Sequence, residues 1–271
     1  MNRGLIIFIV ILMDSFLFSC ENNIKQNEFN PNQVIYPDTL SLESSLDKVL
    51  NKKYKKVDKH ILLGKFDYRK DTNFIKADRK FCSKTIYLRK EVLLKFEEMY
   101  NAALEEGVEL KIISGTRNFN QQKSIWERKW TANIKTMDSL SSVKEILKYS
   151  SMPCTSRHHW GTDIDLNDLN NSYFEYGKGE KVFAWLTGNA HKYGFHMTYD
   201  DQTMSNRTGY KLEKWHWSYM PIANVLLKQY KEEISCRDIE GFKAANFACH
   251  EEIDMVTNYV LGINMNFKIK E

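Results

Sequence analysis

Apolar residues recur at helical spacing in some stretches of the chain and alternate with polar ones in others, and the two patterns mark out its elements in order. Leu42, Leu46, Val49 and Leu50 share one face over about 42–57, which predicts a helix. A short apolar stretch from Ile61 to Phe66 closes at Asp67. From Arg89 to Glu106, Val92, Leu93, Phe96, Met99, Tyr100 and Ala103 form a stripe, and Gly107 supplies a C-terminal stop. Residues 108–113 alternate at first and are rich in branched side chains, which predicts a strand. Ser114-Gly115-Thr116 turns the chain into a helix that starts near residues 118–120 and carries Ile125, Trp126 and Trp130. Residues 131–157 read as mixed helix and loop.

Further on, 162–166 is a short strand, 182–193 a helix capped by Gly194, 195–199 a strand, and 212–217 the start of another. From about 221 to 260 the helical pattern returns, with Ile222, Val225, Leu226 and Leu227, then Phe242, Phe247 and Val256. The fold class is α+β: a small antiparallel sheet, flanked by helices, whose short strands carry the polar residues of interest. No internal repeat is visible.

Composition supports one packed domain with extensions: 271 residues, 42% hydrophobic and 13% aromatic. The net charge of +4 is spread over intermingled basic and acidic residues, so no nucleic-acid-binding stripe stands out. The first residues change the picture more. Arg3 precedes an apolar run from Leu5 to Met13 of secretory length, and Leu17-Phe18-Ser19-Cys20 resembles a bacterial lipobox. The expectation is a signal peptide over 1–19, a lipid on Cys20, a polar tether over 20–41, a main domain over 42–235 and a helical extension over 236–271. That places the protein in the cell envelope, held to a membrane by its N-terminal lipid. Cys82, Cys154, Cys236 and Cys249 remain, an even number with three possible pairings, and Cys154 reads as a buried or bridged cysteine.

Two polar clusters carry candidate chemistry. The first runs Ser156-Arg157-His158-His159-Trp160-Gly161-Thr162-Asp163-Ile164-Asp165, and the second, about fifty residues on, is Glu213-Lys214-Trp215-His216-Trp217. A catalytic zinc takes three N or O ligands and keeps one position open, which two imidazoles and a carboxylate satisfy. Strand alternation puts Asp163 and Asp165 on one face and Ile164 on the other. Gly161 permits the turn that would bring a histidine back over that strand. Glu213 and His216, three apart, would leave a regular strand on opposite faces, so both can reach one site only from a bent backbone. Asp163 is either a carboxylate behind a metal-bound histidine or a solvated strand residue. His60, His191, His196 and His250 read as ordinary core or surface histidines, and most of the tryptophans as core; Trp160 and Trp215, inside the clusters, could wall a cleft.

Ser156-x-His158-x-x-Gly161-x-x-x-Asp165, followed by Glu213-x-Trp215-His216, resembles the paired signatures of the VanY-type D-alanyl-D-alanine carboxypeptidases, a group of zinc peptidases related to lysostaphin-type enzymes and hedgehog domains. Ser114-Gly115-Thr116-Arg117-x-x-x-x-Gln122 is similar to a third motif of that family, with Asn118 where a serine is usual and Asp163 where a small residue is frequent. The resemblance spans about 60–230. It implies zinc held by His158, Asp165 and His216, with His158 rather than its neighbour His159 as ligand. It also implies Glu213 as general base and Arg117 on the developing oxyanion or a substrate carboxylate. Ser114, Gln122, Ser156 and Trp215 would line the substrate site. The implied substrate is a peptidoglycan stem peptide cut before its terminal D-alanine; a non-catalytic peptidoglycan-binding module, or an enzyme cutting another cell-wall bond, remain as alternatives.

Overall fold

The computed structural model describes residues 48–265, apart from positions 51 and 55. The expected signal peptide, the Cys20 lipid site, the tether and the start of the 42–57 helix lie outside those residues. A short helical turn, Lys59–Leu62, precedes a two-stranded hairpin in which β1 (Phe74–Lys76) runs antiparallel to β2 (Tyr87–Arg89). Helix α1 (Lys90–Glu105) follows directly and buries all six residues of its predicted stripe, and Gly107 ends it at a φ of +74°. Strand β3 (Ile112–Ser114) leads into α2 (Phe119–Asn133). Asn118 caps α2 in a reciprocal capping box with Gln121, a role Asn fills as well as Ser. Then come α3 (Ser139–Leu147), β4 (Asp163–Leu166), α4 (Gly177–Asn189), β5 (Phe195–Met197), β6 (His216–Tyr219) and α5 (Met220–Glu233).

Strands β3, β4, β6 and β5 form one antiparallel sheet in that order, so β4 and β6 are central. The register pairs Asp163 with Ser218, Ile164 with Trp217 and Asp165 with His216. Ile164 is fully buried and anchors β4 in the core, as alternation predicted. Both polar clusters therefore meet on the two central strands of the sheet.

Three elements differ from the sequence reading. Strand β3 covers 112–114 rather than 108–113, because its partner β4 turns away at Asn167, which takes a left-handed φ of +61°. The Asn167 side chain then substitutes for a strand, accepting from Lys111 N and donating to Glu109 O. The β1–β2 hairpin was not anticipated, since strands of three residues are too short for alternation to register. Beyond α5 the chain forms isolated turns instead of helix: 3-10 turns at Cys236–Asp238 and Ala245–Cys249 and a π-helical turn at Met255–Val260. Ala244 and Asp254, both at positive φ, break any continuous helix there.

This C-terminal strap packs back on the domain. Its Lys243 carbonyl accepts from the indole of the fully buried Trp126 at 2.8 Å, Gly241 O accepts from Lys123, and Phe242 lies edge-on to Trp126. Cys236 and Cys249 are joined, while Cys82 and Cys154 are free and buried. The thirteen-residue separation closes a loop whose entropy in the unfolded chain the crosslink removes. Replacing Cys236 and Cys249 together by serine should cost about 2–3 kcal/mol and lower the melting midpoint. A midpoint unmoved by that change would mean that the contacts to α2 hold the strap unaided.

A candidate metal centre at the strand crossing

His158 sits in a single 3-10 turn, Arg157–Trp160, that ends at Gly161 with a φ of +72°. A side chain at Gly161 would both be strained there and run into the Phe74 ring. The hairpin fixes this turn: Arg89 N donates to Gly161 O and Arg89 Nε to Trp160 O at 2.6 Å. His158 Nδ1 faces Gly115 O at 2.8 Å, which makes that nitrogen the N–H and leaves Nε2 as a free lone pair. Nε2 lies 3.4 Å from Asp165 Oδ2.

His216 opens β6 opposite Asp165, with its Nδ1 3.3 Å from Asp165 Oδ1. Glu213 reaches the same place through the bend that the spacing demanded. His216 N donates to Glu213 O in a turn, and Glu213 N donates to Tyr199 O. Asn171 braces that loop from both sides, donating to Leu212 O and accepting from Lys214 N. As a result Glu213 Oε2 stands 3.3 Å from His216 Nδ1.

One donor atom from each of His158, Asp165 and His216 lies within 4.8 Å of the other two, and all three residues are buried. Asp165 Oδ1, though buried, accepts no hydrogen bond. A buried carboxylate with one oxygen unbonded, and with each oxygen facing an imidazole nitrogen, is a donor set that a metal ion completes. The residues therefore fit a metal with two nitrogen ligands and one carboxylate.

Behind His216, its Nε2 meets Asp163 Oδ1 at 3.0 Å. Asp163 is fully buried and also takes the Arg157 Nε at 3.0 Å and the Thr162 hydroxyl, while Arg157 Nη2 reaches Ser218 Oγ at 2.7 Å. Of the two readings of Asp163, the structure gives the carboxylate behind the histidine. Such a partner orients the ring and raises its basicity.

The electrostatics follow from burial and pairing. Burial alone would raise the Asp163 and Asp165 carboxyls, but Arg157 and His216 beside the first, and His158 and His216 beside the second, hold both below the usual carboxylate range. Burial would lower His216, yet contacts to Asp163, Asp165 and Glu213 lift it well above an ordinary imidazole. Glu213 is pushed up, chiefly by burial.

The cleft over this cluster has a volume of about 620 Å³, and Arg117, Gln122, Glu213 and Trp215 line it together with the three candidate ligands. Arg117 is fixed by Ser114 Oγ, by Gln122 Oε1 at 3.1 Å and by Asp165 Oδ2 at 3.5 Å. Trp215 packs against Tyr149, their ring centres 6.2 Å apart. Three residues sit differently from expectation. Ser114 holds the arginine from behind instead of lining the cleft, and Ser156 is buried with its hydroxyl unpartnered. Trp160 is core, donating to Leu62 O and tilted against the Tyr230 ring, because its turn points inward under the hairpin. His159 faces away from the cluster, its Nδ1 against Arg117 O. Sequence reasoning missed Arg157, Lys129, Tyr149, Tyr199 and Tyr210; only Arg157, lying inside a motif, carried any signal.

An α+β domain with a buried His-Asp-His cluster and a further carboxylate beside it defines a metallohydrolase-like centre. A family model, "VanY: D-alanyl-D-alanine carboxypeptidase", matches residues 85–222, and the chain belongs to that family. It is 32% identical to the Bacillus subtilis protein YodJ over 137 residues, 49% of this chain and 46% of that protein. It is 29% identical to an Enterococcus faecalis D-alanyl-D-alanine carboxypeptidase over 128 residues, 46% of each. The chain thus spans about half the length of these relatives. Among solved structures it is similar to the LD-carboxypeptidase LdcB, with 24% identity and a TM-score of 0.47, over 62% of this chain and 76% of that one.

Two outcomes follow. Asp163→Asn should weaken divalent-metal affinity about 10–100-fold in chelator competition, and unchanged affinity would remove Asp163 from the centre. Metal must also displace the proton that the three carboxylates hold on His216, whose pKa is raised. Affinity should therefore fall as pH drops below that raised pKa, and calorimetry in buffers of different ionisation enthalpy should detect proton release; no release would contradict the assignment.

Proposed function

We propose that this protein is a zinc-dependent carboxypeptidase that removes the terminal D-alanine from peptidoglycan stem peptides in the cell envelope. The observation that carries the reading is Glu213: a buried carboxylate outside the candidate ligand trio, facing the cleft 3.3 Å from His216. A module that only binds has no use for a base there, and family membership supports the peptidase chemistry. The Met1–Cys20 pattern supports an envelope location with an N-terminal lipid anchor.

His158, Asp165 and His216 would hold the zinc. Bound there, the ion would supply Lewis acidity, making a water molecule acidic near neutral pH and polarising the peptide carbonyl. Glu213 takes the proton of the attacking water and delivers it to the leaving amine, and a pKa raised by burial suits both transfers. Arg117, immobilised by Ser114 and Gln122, presents a fixed positive charge to the oxygen that becomes negative. Trp215 with Tyr149 gives the cleft an apolar wall against which a small side chain can seat.

Product masses from intact stem pentapeptide and tetrapeptide test the reading. The expected result is loss of one alanine from the pentapeptide and an untouched tetrapeptide. Trimming of the tetrapeptide would instead assign L,D specificity, and internal cleavage an endopeptidase. Glu213→Gln should lower turnover about 10²–10⁴-fold while retaining metal, and chelation should abolish turnover until zinc is restored. Full activity in either case would overturn the mechanism.

A further inference from the structure

The two acids and one arginine at the centre of the cleft are each committed to other side chains. Asp165 and Glu213 each stand 3.3 Å from His216, and Arg117 is held by Ser114, Gln122 and Asp165. Lys129 and Arg128 are not so held, and of the two only Lys129 is half-buried. It lies seven residues after Gln122 on α2, about two helical turns further along the same face, and both side chains line the cleft. Its side chain is half-buried and its ammonium donates to the Ser150 hydroxyl at 2.6 Å. Among the described residues no carboxylate lies within ion-pair distance of it. Arg128, beside it, is exposed and also lines the cleft.

A half-buried ammonium with one neutral partner is incompletely compensated for the water it has lost. Burial accordingly pulls the Lys129 pKa down, with the nearby Glu213 charge working against that and Arg128 and Arg117 adding to it. The missing partner is an anion, and the cleft is where one can arrive. Both acidic groups lining that cleft, Asp165 and Glu213, already face a histidine, so the charged side chains left without an ion-pair partner among the described residues are cationic ones.

We propose that Lys129 is a specificity-determining residue whose ammonium receives a free carboxylate of the substrate. The cleft then selects peptides that carry an uncapped acid, and Arg128 at the rim adds a long-range attraction for them. This inference rests on the carboxypeptidase reading and narrows its substrate class. A stem peptide offers such a carboxylate in two places, at its C-terminus and on a residue upstream of the scissile bond.

The test compares peptides of one sequence with each of these carboxylates free or amidated, on the metal-loaded wild type, Lys129→Met and Lys129→Arg. Amidating the recognised carboxylate should raise the wild-type KM about tenfold, the scale of one charge-assisted hydrogen bond, with little change in kcat. Lys129→Met should shrink that penalty to about twofold and Lys129→Arg should restore most of it; which amide shows the effect identifies the source. An amide penalty that Lys129→Met leaves at its wild-type size, or no penalty for either amide, overturns the proposal. The same peptides are titrated calorimetrically into Glu213→Gln, with and without Lys129→Met, so that binding is read without turnover. Discrimination there that vanishes with Lys129 supports the inference even if the wild type hydrolyses none of the peptides, a failure that would fall on the catalytic reading alone. Equal affinities for acids and amides in both backgrounds overturn it.

Discussion

Asp165 lies opposite His216 in the pairing of β4 with β6, and a shift of one residue in either strand would separate them. Everything polar at the centre is placed by that register. The same ladder sets Asp163 opposite Ser218, which lets Arg157 bridge the two, and it leaves Ile164 pointing into the core as the pin that holds β4 in place. The turns beside the strands serve the same end. Gly161 lets the His158 turn pass under Phe74, and the bend at Glu213–His216 brings a carboxylate and an imidazole three residues apart to one point.

Three carboxylates buried within reach of one imidazole would repel one another without compensation. Arg157 neutralises Asp163 from below, Arg117 approaches Asp165 from the cleft, and His216 sits among all three acids. A divalent ion at His158, Asp165 and His216 would take the place of the proton on His216 among these acids. The geometry thus sorts the acids by neighbour: Asp163 lies behind His216, Asp165 stands between the two imidazoles, and Glu213, turned to the cleft, lies outside the candidate ligand trio.

Much of this was legible in the chain. The α1 stripe, the Gly107 and Gly194 stops, the α+β class and the two clusters follow from spacing alone, and the family resemblance placed the cluster residues in one centre. The choice between His158 and His159 needed the fold, since only three-dimensional packing turns one ring to Asp165 and the other to Arg117 O. The role of Asp163 needed its partners Arg157 and His216, one six and the other more than fifty residues away. Lys129, Tyr149, Tyr199 and Tyr210 belong to the cleft only because α2, the turn after α3 and the loop after β5 close over it, and isolated residues on such elements carry no periodic signal. The C-terminal strap misled for the opposite reason: its apolar residues suggest helix, while Ala244 and Asp254 at positive φ and a disulfide impose turns.

The most direct test of the centre is the X-ray absorption spectrum of the zinc-loaded protein at the zinc edge. Two imidazole nitrogens and oxygen donors at about 2.0–2.1 Å, with no sulfur, are the predicted shell. A sulfur scatterer or a third imidazole would contradict the His158, Asp165 and His216 centre and everything built on it.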